Sequence, residues 1–262
     1  MSTTAIPWRE HRRTIAGLLA GAGVRDADAE ARWIAESVAG CDATGWLGLA
    51  DDLPSARVVA RLEALVERRL AGEPLQYVLG SWSFRGLDLM VDPRVLIPRP
   101  ETEVLVEVAL AEAERVGVRR GPRRRRVDAT PSAFVVDLGT GSGAIALSLE
   151  AELPGVEVWA TDVSDEALAV ARANVAGCAA TGVRLATGSW FDALPTELRG
   201  RLVLVVSNPP YVSDSERADL PVEVAGYEPP GALFAGPTGL EALHVLVDGA
   251  PDWLAPRGAL VC

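Results

Sequence analysis

Asn208, Pro209, Pro210 and Tyr211 follow directly on the apolar run 202–206 and one serine. The run reads as a buried strand of a parallel sheet, and a tight turn after it needs no such combination. The combination does suit a planar nitrogen, either an amide or an exocyclic aromatic amine, whose delocalised lone pair makes it a poor nucleophile. The Asn208 side-chain oxygen and the Pro209 backbone carbonyl can each accept one N–H. Two fixed acceptors aim the lone pair at an electrophile and spread the positive charge that builds on nitrogen. Proline fits the second place because its φ is fixed and it offers no competing donor. Tyr211 can stack on the planar target, worth on the order of 1 kcal/mol beyond its buried area. No histidine or carboxylate base is required.

A second group of residues points to a cofactor. "VVDLGTGSGAIAL" is a strand, a glycine-rich turn and a helix start, and Gly139, Thr140, Gly141, Ser142 and Gly143 form the turn. Its glycines let a ligand come close to the amides at the helix N-terminus. Gly139, Gly141 and Ala144 also fit the looser dinucleotide fingerprint, so a nicotinamide or flavin enzyme has to be considered. Asp162 closes the next strand about 20 residues on, the spacing at which a carboxylate accepts from both ribose hydroxyls. Asp137 separates the options. A carboxylate two residues before the first glycine sits badly beside a pyrophosphate. It is well placed near a sulfonium or an amino-acid ammonium group, directly or through water. That favours S-adenosylmethionine over NAD, with S-adenosylhomocysteine as the product.

The elements that must position these residues alternate from Ala133 onward. "FVVDLG" precedes "SGAIALSLEAE", and "VEVWATD" precedes "DEALAVARANVA". Then come "VRLAT", "RLVLVVS", a helix near "GLEALHVLVDGAPDWL" and "GALVC". Strand–helix alternation predicts an α/β fold, a parallel sheet with helices on both faces. Strand four of such a sheet ends at the crevice where ligands bind, so Asn208 projects toward the cofactor. Ahead of this lies a small helical unit, residues 8 to about 72. It has helices over "WREHRRTIAGLLAGAG", "DADAEARWIAESVAG" and "SARVVARLEALVERRLAG". In the last, Val58, Leu62, Leu65, Val66 and Leu70 share a face. "SWSFRGLDLMVD" alternates as a hairpin with Arg85-Gly86 at its turn, and a helical pattern runs from Glu101 to Val116.

Composition removes several classes. All 25 basic residues are arginine, which excludes a Walker-type phosphate loop and lysine Schiff-base or pyridoxal-phosphate enzymes. A net charge of -11 argues against a protein that grips long nucleic acid. The six arginines between Arg119 and Arg126 read as a solvated loop, since like-charge blocks broken by Gly and Pro seldom fold. Cys41, Cys178 and Cys262 are unpaired in spacing, and with His11 and His244 the sole histidines a zinc site is not expected. The start lacks a signal-peptide core and no run is long enough to span a bilayer, which predicts a soluble cytoplasmic protein.

Taken together, the motifs resemble those of the glutamine N5-methyltransferases that modify peptide-chain release factors. The resemblance rests on "EPLQYVLGSWSF", "VLIPRPETE", "DLGTGSGAIAL", "SWFDAL", "SNPPYV" and "YEPPGAL". NPPY alone is shared with adenine-N6 DNA and guanine-N2 rRNA methyltransferases. "IPRPETE" with a helical N-terminal domain and a hairpin is more particular to the protein-methylating family. The resemblance implies a helical substrate-recognition domain (1–73), a β-hairpin linker (74–98) and a Rossmann-like class I methyltransferase domain (99–262).

It also implies roles for the residues. Gly139 to Gly143 and Asp162 would hold S-adenosylmethionine, with Trp190 packed near the adenine and Asn208 lining both cofactor and substrate. Asn208, Pro209, Pro210 and Tyr211 would bind the glutamine amide of a Gly-Gly-Gln loop, and Arg99, Thr102 and Glu103 would shape the cofactor's methionine end. The expected protein is a monomer that acts on release factors, with no metal, membrane or stable nucleic-acid partner. A nucleic-acid exocyclic-amine methyltransferase is the alternative enzyme, and a truncated relic that binds without turnover is the alternative outside catalysis. Two departures stand out. Ser189 occupies the place of an acidic residue before Trp190. Family members also continue past strand five into a helix and an antiparallel pair, so the expected sheet lacks its C-terminal strands and leaves an apolar edge uncovered.

Overall fold

A computed structural model describes residues 6–122 and 131–262. Arg123 to Arg126 of the arginine run lie outside the described residues. The chain divides between Gly80 and Ser81 into two compact units.

The first unit is helical: α1 (Trp8–Gly21), α2 (Ala27–Ala39), α3 (Ala43–Leu49), α4 (Ala56–Leu70) and α5 (Leu75–Leu79). Its core joins Trp8, Ile15, Leu19, Ile34, Leu62 and Val66. Each such side chain contributes roughly 1.5–3 kcal/mol when fully buried. On α4 the buried stripe differs from the expected one at its end. Leu70 is 39% exposed, and Arg69, at 6%, takes the inner place. Seven residues on from Leu62, Arg69 completes two turns, and its guanidinium is satisfied by the Glu30 carboxylate at 2.6 Å. Two short helices escape a sequence reading. α3 carries Gly45 and Gly48, poor helix formers, and is held by Asp42, whose carboxylate accepts from the backbone N–H groups of Thr44 and Gly45. α5 begins straight after Pro74.

The second unit opens with a hairpin, β1 (Ser81–Phe84) and β2 (Leu87–Met90). Trp82 lies opposite Leu89 and Phe84 opposite Leu87. Arg85 and Gly86 both take positive φ, 46° and 76°, the geometry of a two-residue turn whose twist matches the strands. Helix α6 (Pro100–Arg115) follows. Then come β3 (Ala133–Leu138), α7 (Ala144–Glu152), β4 (Val156–Asp162), α8 (Asp165–Gly177), β5 (Val183–Thr187) and β6 (Leu202–Val206). Beyond β6 are β7 (Val212–Ser213), α9 (Val222–Tyr227), α10 (Pro230–Leu233), β8 (Phe234–Gly236), α11 (Glu241–Trp253) and β9 (Leu254–Val261).

The main sheet has the order β5-β4-β3-β6-β9 with every neighbouring pair parallel. The strand order reverses between β3 and β6, which makes the crevice outside their carboxyl ends the place for a ligand. Val135, Val158, Leu204 and Val206 pack with α6 and α7 on one face. Val136, Leu138, Leu202 and Val205 pack with Leu246, Ala250 and Trp253 of α11 on the other. An irregularity in the pairing of β6 between Leu202 and Leu204 explains why these two even-numbered residues face opposite ways. β9 starts four residues ahead of "GALVC". Its pairing to β6 jumps from Leu254 to Ala259 around Arg257, whose φ of 70° marks the bulge. Among the described residues no helix is long and apolar enough to cross a membrane.

Candidate functional site

Three devices fix the site at the strand ends. First, Ser207 terminates β6: its hydroxyl donates to the Leu138 carbonyl at 2.7 Å and its N–H donates to Val261 O at 3.1 Å. This clamps the start of the NPPY segment to the ends of β3 and β9, so Asn208 leaves the sheet at the switch point. Second, the N–H groups of Gly139 and Thr140 both donate to Thr161 O, drawing the glycine turn across the end of β4. Gly139, Gly141 and Gly143 take φ of 73°, 55° and 85°, a conformation that favours glycine. Third, Gly239 backs the exit of the motif. A Cβ there would stand 2.6 Å from Tyr211 O, so only glycine lets segment 234–239 lie this close. The short parallel pair β7–β8 forms at that contact.

A cavity of about 350 Å³ opens here. Gly139, Thr140, Gly141, Ser142, Asp162, Trp190, Asn208, Pro210 and Thr102 line it. Asp162 is anchored on both oxygens, Oδ2 by Gly141 N–H and Oδ1 by Ser164 N–H, each at 2.9 Å. A carboxylate oxygen accepts more than one hydrogen bond, so both remain able to meet a diol. We expect Asp162→Asn to weaken cofactor binding by about 10-fold, through loss of one charge-assisted bond and of one anchor. Calorimetric titration checks this, and unchanged affinity contradicts a ribose role. Trp190 takes φ of 48°, which turns its ring over the glycine turn: a Cβ on Gly139 would meet the ring edge at 3.8 Å.

Several other expected residues do not themselves line the cavity. Asp137 does not line the cavity. It is fully buried on the α7 side of β3, where its Oδ2 accepts from Thr140 Oγ1 at 2.6 Å and from Ala146 N–H at 3.2 Å. Its Oδ1 has no partner. Burial pushes this carboxyl up to about 7; the two donors oppose the rise and the Asp162 charge adds to it. Gly143 forms the N-cap of α7. Pro209 is buried, and Tyr211 is 69% exposed, outside the cavity. Arg99 turns away to Glu228, and the Glu103 carboxylate accepts from Arg85 N–H at 3.0 Å, at the hairpin turn. Thr102 accepts from the Asn208 side-chain Nδ2 at 3.3 Å.

With the geometry established, similarity to known proteins adds the following. The PrmC N-terminal domain model matches residues 10–80, and the methyltransferase small domain model matches residues 125–223. A protein of Geobacter sulfurreducens named release factor glutamine methyltransferase is 39% identical over 245 residues, 94% of this chain and 79% of that one. This chain belongs to the release factor glutamine methyltransferase family. Proteins of the same name from Bordetella pertussis and Gloeobacter violaceus are 44% and 41% identical, over 88% and 99% of this chain and 79% and 84% of theirs.

In this member of the release factor glutamine methyltransferase family, part of the cavity wall carries no chemical signal of its own in the sequence. Val95, Leu96 and Pro98 form one side, and Pro229, Gly231 and Ala232 another. The two sides are tied by Glu228, which is buried and pairs with Arg99. Burial raises the Glu228 carboxyl, against the pull of Arg99 and of Ile97 N–H. The strings "IPRPETE" and "YEPPGAL" mark these segments without saying that they meet. Asn174 is a further fastening. Its side chain exchanges two hydrogen bonds with the Met90 backbone and donates a third to Ser142 O, joining the hairpin to the glycine turn.

Proposed function

We propose that the protein transfers a methyl group from S-adenosylmethionine to the side-chain N5 of the glutamine in the Gly-Gly-Gln loop of peptide chain release factors, as a cytoplasmic monomer. The observation that carries this is the position of Asn208 beside a cavity floored by the glycine turn and flanked by Asp162. The residues fit the cofactor: a glycine cradle, an anchored carboxylate for a diol, a Trp face and a cavity volume in the range of small-molecule sites. The names of the relatives, matched over most of the chain, support a protein glutamine over a nucleic-acid base.

When bound, S-adenosylmethionine supplies an electrophilic methyl on a sulfonium. Asp162 would hold the ribose and Trp190 would pack at the adenine. Asn208 Oδ1 accepts one N–H of the glutamine amide and the Pro209 carbonyl accepts the other. Held by both, the nitrogen points its lone pair into the cavity, and its growing positive charge meets two carbonyl dipoles. Tyr211, exposed before substrate arrives, covers the planar amide. Among the described residues no histidine lines the cavity, and none is needed: a nitrogen that has gained its methyl is acidic enough to lose one proton to water.

The test uses the purified protein, cofactor and release factor, with intact-mass detection. One methyl should appear on the release factor with the Gly-Gly-Gln loop and none on its Gln-to-Ala counterpart. Uptake that ignores that change removes the assigned substrate.

A further inference from the structure

We infer that Thr102 is a positioning residue that fixes the amide plane of Asn208, an inference resting on the proposed role of Asn208 as substrate acceptor. An asparagine amide presents acceptors on one side and donors on the other, and a half-turn about its last torsion exchanges them at small torsional cost. The exchange would set Asn208 Nδ2–H against a substrate N–H, donor against donor. Thr102 Oγ1 accepts from Nδ2 at 3.3 Å, which leaves Oδ1 to face the cavity that both residues line. Among the described residues Thr102 is the one side-chain hydrogen-bond partner of this amide.

The hydroxyl is itself held rigidly. Thr102 is β-branched, 8% exposed and in the first turn of α6, with its N–H on Arg99 O at 3.0 Å. Its neighbours are anchored on both sides, Arg99 by Glu228 and Glu103 by the hairpin N–H of Arg85. The "IPRPETE" segment thus acts as a bracket reaching 106 residues along the chain to the asparagine that would orient the substrate. From its place on the cavity wall Thr102 acts here through the Asn208 amide.

Thr102→Val keeps the shape and removes the acceptor, while Thr102→Ser keeps the hydroxyl. In the full-length protein, Thr102→Val should lower kcat by about 10-fold, with the S-adenosylmethionine Kd within about 2-fold and Tm unchanged. Thr102→Ser should restore most of the rate. The Asn208 side-chain NH₂ resonances, assigned by their loss in Asn208→Ala, should move upfield in Thr102→Val and stay in place in Thr102→Ser. Unmoved resonances overturn the inference, as does an undiminished kcat in Thr102→Val. A kcat loss matched by an equal loss of cofactor affinity overturns it too, because Thr102 would then act on the cofactor. Should the unmodified protein transfer no methyl to glutamine, the proposed function fails, and the resonances still decide what Thr102 does.

Discussion

Replacing Asn208 by alanine should lower methyl transfer by about 10²- to 10³-fold, the size seen when one fixed hydrogen-bonding group is removed from a site of developing charge. The reasoning runs from the strand end outward. Ser207 clamps the β6 terminus between β3 and β9, so the Asn208 backbone will not drift when the side chain is cut. The cofactor's expected holders, the glycine turn and Asp162, are anchored to Thr161 O, Ser164 N–H and one another without using Asn208. Cofactor Kd should therefore change by less than about 3-fold, equivalent to under 1 kcal/mol. What is lost is one of two acceptors that orient a poorly nucleophilic nitrogen, and the remaining Pro209 carbonyl leaves the amide free to rotate about it. A single-turnover rate with a saturating release factor, followed by intact mass, measures the effect directly. A variant that kept most of its rate would mean that the lone pair needs no second acceptor.

Local patterns in the sequence were enough to find those residues, and the reason is physical. A buried parallel strand, a glycine turn at a helix start and an acid at the next strand end are all specified within a few residues, so 133–162 reads directly. Asn208 stands out because nothing in turn chemistry asks for it. Pairings across the chain could not be read in this way. Thr102 meets Asn208 across 106 residues, and Arg99 meets Glu228 across 129. Arg99 and Glu103 do not line the cavity themselves: Arg99 pairs with Glu228 behind its wall, and Glu103 accepts from the hairpin turn. β7 and β8, two and three residues long, are too short for any periodicity and exist because Gly239 lets two backbones touch. Leu70 and Arg69 exchanged places because a polar side chain with a buried partner can occupy an inner position. Asp137 is the informative middle case. Alternation along β3 puts it on the face of Val135, under α7, so its burial follows from strand parity once the helix is placed.

That burial should make cofactor affinity depend on pH. Folding raises the Asp137 carboxyl from 3.8 to about 7, so between these values the folded protein holds a proton that the unfolded chain has lost. The contribution of Asp137 to stability is then fully present below pH 3.8 and is lost as pH rises through about 7. Taken alone it makes the free protein melt lower at pH 8 than at pH 5.5. S-adenosylmethionine, whose sulfonium and ammonium outweigh its one carboxylate, should act in the opposite sense. Held in the cavity that Thr140 lines, and with the Thr140 hydroxyl donating to Asp137, it would favour the ionised carboxylate and release a proton on binding. Affinity for S-adenosylmethionine should fall as pH falls, by about 10-fold from pH 8 to pH 5.5, within the limit of tenfold per pH unit for one linked proton. S-adenosylhomocysteine lacks the sulfonium charge and should show a smaller slope. Asp137→Asn retains an oxygen for Ala146 N–H and removes the titration, so both slopes should flatten. Calorimetry in buffers of different ionisation enthalpy counts the released proton, and a pH profile unchanged in Asp137→Asn would show that the buried carboxyl does not sense the cofactor's charge.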